Sequence, residues 1–189
     1  MDLRSGQARP ILSAGQPRIE NIPMGNFANL SRVLAMSGDG SLIAFAATRN
    51  HRDGIYLYDL RSRRLERREM PGFMTVSQPQ FSPDGTRIVF SGMKSSITDI
   101  YALDLASGRV AQLTDDPEDD EMPVFMPDGG SVVYSSEAAD PLDSRRRRRR
   151  LHRLDLKSLS VERLENLDGE SRDPVVSADG SKVLFTCAD

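Results

Sequence analysis

Tryptophan is missing from these 189 residues, histidine occurs twice and cysteine once. The lone thiol, Cys187, excludes an internal disulfide and a zinc site made of cysteine pairs. No segment comes near the ~20 consecutive apolar residues of a membrane-spanning helix, so membrane insertion is not expected. Residues 1–12, MDLRSGQARPIL, hold no apolar run of the kind a secretory leader carries, and no compartment can be read from the chain itself. Acidic and basic side chains nearly balance, 28 against 25, and the net charge of −3 argues against whole-molecule attraction to nucleic acid or an anionic membrane. The GxSxG elbow, the GxxxxGK[ST] phosphate loop, CxxC and HExxH are all absent. The chain therefore reads as non-enzymatic, with no catalytic residue, cofactor or metal ligand assigned. Prolines and glycines interrupt every window long enough for a helix, so an all-β fold is expected.

What is present is a repeat. Asp-Gly pairs recur in one context at Asp39, Asp84, Asp128 and Asp179, spaced by 45, 44 and 51 residues. Six residues after each Asp stands an aromatic: Phe45, Phe90, Tyr134 and Phe185. Five residues before the last three stands a proline (Pro79, Pro123, Pro174), with Leu34 in that place in the first. A second landmark, IYLYDL, IYALDL and LHRLDL, aligns Tyr56, Tyr101 and His152. It follows the first by 11, 11 and 18 residues, so the long repeat takes all its extra length in one connection, the one holding six arginines. Such register is the mark of a repeated supersecondary unit.

The unit can be read residue by residue. Proline or a small residue, then Asp, then Gly is hairpin-turn chemistry. The runs that follow, LIAFA, RIVFS, SVVYS and KVLFT, are apolar at successive positions, as in a strand covered on both faces. A third strand (IYLYDL) and a fourth (RVAQLT) complete a four-stranded antiparallel sheet with two apolar faces. Like sheets stacked around an axis cover both, which is the β-propeller solution. Asp59, Asp104 and Asp155 recur at one strand position and suit a structural hydrogen bond.

The segment QPQFSPDGTRIVFSG…TDIYALDLASGRVAQLTDD (Gln78–Asp116) closely resembles the TolB-like β-propeller repeat, a WD-repeat-like family, and the likeness runs in four copies from Val33 to Cys187. The first copy lacks the proline of the turn, and the Trp-Asp dipeptide of true WD repeats is absent. The resemblance implies about four blades' worth of a propeller, as part of a larger ring, a small closed ring, or one ring shared by two chains. The chain is then a single propeller region. Residues 1–32 give outer strands of an incomplete blade, 33–70 and 78–114 give blades, 122–165 give a blade with an arginine-rich inserted loop, and 173–189 give the inner strands of a last, incomplete blade. The family implies a bacterial, often periplasmic, protein-binding scaffold without catalytic residues. Its alternatives are the accessory propeller of a prolyl-oligopeptidase-like serine peptidase and, from the arginine loop, a polyanion binder.

Two charged runs are the candidate interaction loops. DDPEDDE contributes Asp115, Asp116, Asp119, Asp120 and Glu121; the arginine run comprises Arg145, Arg146, Arg147, Arg148, Arg149 and Arg150. Both read as solvated connections, the acidic one between blades and the basic one between second and third strands, and the acidic run lacks EF-hand spacing for calcium. No aromatics interleave the arginines for base stacking, so nucleic acid is disfavoured as a partner. The expected partner is a protein or peptide of unassigned identity, with self-association through open blade edges as a further expectation. His152 takes a tyrosine's place in a strand and is expected to be structural; His51 is expected in an exposed loop.

Overall fold

The computed structural model describes residues 34–140, 143–164 and 170–188; the outer strands expected in residues 1–32 lie outside them. Four antiparallel sheets follow one another along the chain. The first holds β1 (Leu34–Met36), β2 (Leu42–Arg49), β3 (Arg52–Asp59) and β4 (Leu65–Glu69). The second holds β5 (Thr75–Phe81), β6 (Arg87–Lys94), β7 (Ile97–Asp104) and β8 (Val110–Gln112). The third holds β9 (Asp119–Phe125), β10 (Ser131–Asp140), β11 (Asp143–Asp155) and β12 (Val161–Arg163). The fourth pairs β13 (Glu170–Val176) with β14 (Val183–Ala188). Each sheet is a simple meander, and the first strands β1, β5, β9 and β13 lie side by side in chain order, so the sheets stack as consecutive propeller blades. No helix occurs among the described residues.

The repeat's landmarks pair across each central hairpin: Phe45 with Tyr56, Phe90 with Tyr101, Tyr134 with His152. The second strands of the first three sheets are buried on both faces, whereas β14, expected to be covered in the same way, leaves Leu184 exposed; the core lies between blades. Ala44, Ile55 and Leu57 meet Val76, Ile88, Phe90 and Tyr101 at the first interface. Val89 and Ile100 meet Phe125, Val132, Tyr134 and Leu154 at the second. Each such apolar side chain removed from water contributes about 1.5–3 kcal/mol, which is what a lone sheet would forgo on both sides.

Two local devices fix the blades. At each Asp-Gly turn glycine sits at φ +68 to +71, the left-handed position it accepts without a Cβ penalty. In three turns a serine closes the clasp: Ser37, Ser82 and Ser177 donate from Oγ to the Asp Oδ1 at 2.5–2.6 Å and accept the backbone N–H of Leu42, Arg87 and Lys182. The second device is a bulge before the proline of the inner strands β5, β9 and β13, where Gln78, Met122 and Asp173 hold φ +54, +60 and +52. Gln78 Oε1 accepts the Met122 N–H of the next blade at 2.9 Å, and Met122 Sδ accepts the Asp173 N–H at 3.3 Å. The bulges are thus joined blade to blade near the axis. The recurring Asp59, Asp104 and Asp155 each accept turn N–H groups, from Ser62, Ser107 and Ser158 at 2.7 Å.

The arginine run is not the loop its composition suggested. The extra residues of the third repeat lengthen the hairpin itself, with β10 at 10 residues and β11 at 13 against 8 and 8 in the second blade, and Arg145 to Arg150 all lie in β11.

Candidate binding rim

The starts of β5, β9 and β13 and the tips of the β2–β3, β6–β7 and β10–β11 hairpins share one rim, since Thr75 pairs with Met93 and Asp119 with Glu137 near the hairpin ends. Both charged runs come to this rim at the third blade. The acidic one was expected to be a single solvated connection, and the structure divides it. Asp115 and Asp116 are exposed in the crossing from β8 to β9, whereas Asp119, Asp120 and Glu121 open β9 itself. Period-two alternation then sends Asp120 and Glu121 to opposite faces. Asp119 Oδ1 accepts the Thr98 N–H of the preceding blade at 2.9 Å. Asp120 is 0 % exposed. Glu121 turns to the face that meets the fourth blade.

There it meets the arginine strand. Arg149, only 7 % exposed, reaches Glu121 Oε2 at 3.0 Å and Glu137 Oε2 at 2.7 Å. Arg147 lies 3.7 Å from Glu137 Oε1 and donates to the Glu137 carbonyl at 2.8 Å. Arg150 turns its guanidinium to the Arg149 carbonyl at 3.0 Å. Arg145 and Arg146 lie in the strand, with side chains outside the described residues. Glu137 is the residue that sequence reasoning passed over; its signal was its place opposite the arginine run in a lengthened hairpin.

Burial dominates the electrostatics. It pushes the Asp120 carboxyl up to about 7, against the pull of the Ser136 and Thr114 hydroxyls and with Asp116 and Asp99 adding to it. Burial also raises Asp99, with Asp115 and Asp116 adding, and raises Glu121 despite Arg149. Glu118 is raised by burial and by Asp116, with Arg147 opposing. Tyr101 rises to about 12, and Tyr134 rises as well, each by burial first and a neighbouring aspartate next. Asp99 accepts from Gln112 Nε2 at 3.0 Å and from the Thr114 hydroxyl at 3.4 Å.

Among the described residues no three acidic, histidine or cysteine side chains converge as metal ligands. His152 packs in β11 against Tyr134, ring centroids 5.7 Å apart, and His51 sits exposed in the β2–β3 turn at φ +55. At the opposite rim a half-open groove of about 320 Å³ lies between the first two blades, lined by Leu42, Leu57, Leu105, Arg64, Arg68 and Glu66 among others.

The blade order, the clasped turns and the inter-blade core define a β-propeller of TolB type. The TolB beta propeller domain model matches residues 26–189, and the chain belongs to that family. An uncharacterized protein of Agrobacterium fabrum is 27% identical over 181 residues, covering 93% of this chain and 57% of the relative. Among solved structures, a TolB-like protein of Agrobacterium tumefaciens superposes with TM-score 0.69 at 28% identity, covering 82% of this chain and 53% of that one. TolB of Acinetobacter baumannii gives 0.65 at 27%, covering 80% and 36%. The chain thus spans between about a third and a little over half the length of these relatives.

Proposed function

We propose that this chain supplies blades to a non-catalytic scaffold that binds a protein or peptide at the rim formed by the β8–β9 crossing and the β10–β11 hairpin. The observation that carries the reading is the convergence there of the two charged runs. Arg149 is consumed by Glu121 and Glu137, whereas Asp115 and Asp116 stay exposed and make no ion pair among the described residues. A rim whose central arginine is neutralised and whose outermost carboxylates have no counter-charge among the described residues is complementary to a basic segment rather than to a polyanion. Exposed carboxylates of this kind act mainly on encounter rate and specificity, with affinity that falls as salt rises.

The test titrates the purified chain with a fluorescent lysine-rich peptide and, in parallel, with heparin. Binding of the peptide, weakened by moderate salt and reduced about tenfold in the D115K/D116K double variant, supports the reading. Binding of heparin alone would move the function to the arginine strand. Peptide hydrolysis by the purified chain would overturn the non-catalytic half of the proposal.

A further inference from the structure

One residue from the Arg149 ion pairs, but on the other face of the sheet, lies a carboxylate with no ion pair among the described residues. Asp120 is completely buried where the third blade packs on the second, and neither of its carboxylate oxygens makes a hydrogen bond of good geometry. The groups around it are neutral or acidic. From β10 come its cross-strand partner Ser136 and Tyr134; from the crossing come Thr114, Asp115, Asp116 and Glu118; from β7 come Asp99 and Tyr101. Thr114 is held to the second blade, its hydroxyl donating to Asp99 Oδ1 at 3.4 Å and accepting the Ile100 N–H at 2.9 Å.

The cations of the neighbouring elements are engaged elsewhere. On β6, Lys94 lies over the Phe73 and Tyr101 rings, and Arg87 reaches the Gly129 carbonyl at the far rim. On β11, Arg147 and Arg149 serve Glu137 and Glu121, Arg150 turns to the Arg149 carbonyl, and Arg148 shares the strand face of Arg150 one pair further out. On β13, Arg172 pairs with Glu170 at 2.6 Å, and Asp173 lies beyond. A carboxylate cannot stay ionised at no cost in such a place; it must be protonated or the seam must admit water.

We propose that Asp120 is a proton latch on the seam between the second and third blades: protonated it lets the blades close, and ionised it loosens the β7–β9 contact beneath the charged rim. The latch is a property of the seam and requires nothing of the rim's partner. Its sign is opposite to that of an ordinary surface aspartate. The carboxyl rises from 3.8 to about 7 on folding, so between these values the folded chain holds a proton that the unfolded chain has released. Stability is therefore greatest towards the acid side of that window, falls as pH rises through it, and is flat above.

Thermal unfolding of the whole chain across pH 5 to 8, with and without calcium, compared with Asp120→Asn and Asp99→Asn, tests the latch. The wild type is expected to lose about 5 °C or more of Tm between pH 5 and pH 8. Asp120→Asn, isosteric and uncharged, should be flat over that range and match or exceed the wild type at pH 8, and Asp99→Asn should keep the slope but move its midpoint down. Difference infrared spectra should show a protonated-carboxyl band that titrates near neutrality and is lost in Asp120→Asn. A flat wild-type profile, or an Asp120→Asn profile as steep as wild type, overturns the latch. So does full recovery of stability at pH 8 on adding calcium, which would make the same carboxylate a cation site.

Discussion

The serine of the Asp-Gly turn does two jobs with one oxygen, donating its hydrogen to the aspartate and accepting the N–H that closes the hairpin. The aspartates so clasped, Asp39, Asp84 and Asp179, are held near 2, first by the serine hydrogen bond and then by the backbone or side chain two residues on. A depressed carboxyl contributes stability above its ordinary value and loses it as pH falls through the folded one. These three turns therefore set an acid limb between about 4 and 2, below the window of the buried Asp120. Ser82→Ala removes the leading cause for Asp84, and an NMR titration of that variant should show the Asp84 carboxyl moving up towards 3.8 while Asp39 stays where it is. In the third turn Met126 stands where the serine would be, and Asp128 accepts the Gly130 N–H at 2.9 Å without a serine clasp.

At the scale of elements, the lengthened β10–β11 hairpin is the feature that most distinguishes one blade from another. Arg149→Met keeps the apolar stem but takes the shared buried guanidinium from Glu121 and Glu137, leaving Glu137 only the longer contact with Arg147, which should cost about 3 kcal/mol in chemical denaturation. Adding Glu121→Gln and Glu137→Gln to that variant should recover most of the loss, because the unpaired charge, not the missing bridge, is what destabilises. The hairpins themselves were legible from the residues, since turn chemistry and β-branched runs act locally and the spacing of Phe90 from Tyr101 reappears as a cross-strand pair. The charged runs were not. A block of one sign looks solvated when it is read as composition, yet in a strand its members alternate between faces, and only the register reveals that Arg149 and Glu121 share one face while Asp120 takes the other. Asp99 and Thr114 were invisible for a related reason: their importance comes from a neighbouring blade distant in sequence.

Across the whole molecule, the last described sheet shows what blade stacking protects. Ala44, Val89 and Val133 occupy one position in the first three blades and are 0 % exposed, whereas Leu184, their counterpart in the fourth, is 70 % exposed beside the exposed Val175. Leu184→Asp should therefore leave folding stability within about 0.5 kcal/mol. The equivalent loss at a covered position, Val133→Ala, should cost on the order of 2 kcal/mol. Sedimentation at rising concentration should show the wild-type chain self-associating through this uncovered face and the Leu184→Asp variant remaining monomeric. The chain of bulge contacts near the axis adds an order to these events. Its link from the second blade to the third ends on an amide oxygen, and its link from the third to the fourth ends on a thioether, a much weaker acceptor. Pulled from its ends, the arc should peel like a fan whose last leaf is glued more lightly than the one before it, shedding β13 and β14 as a unit before the second and third blades part.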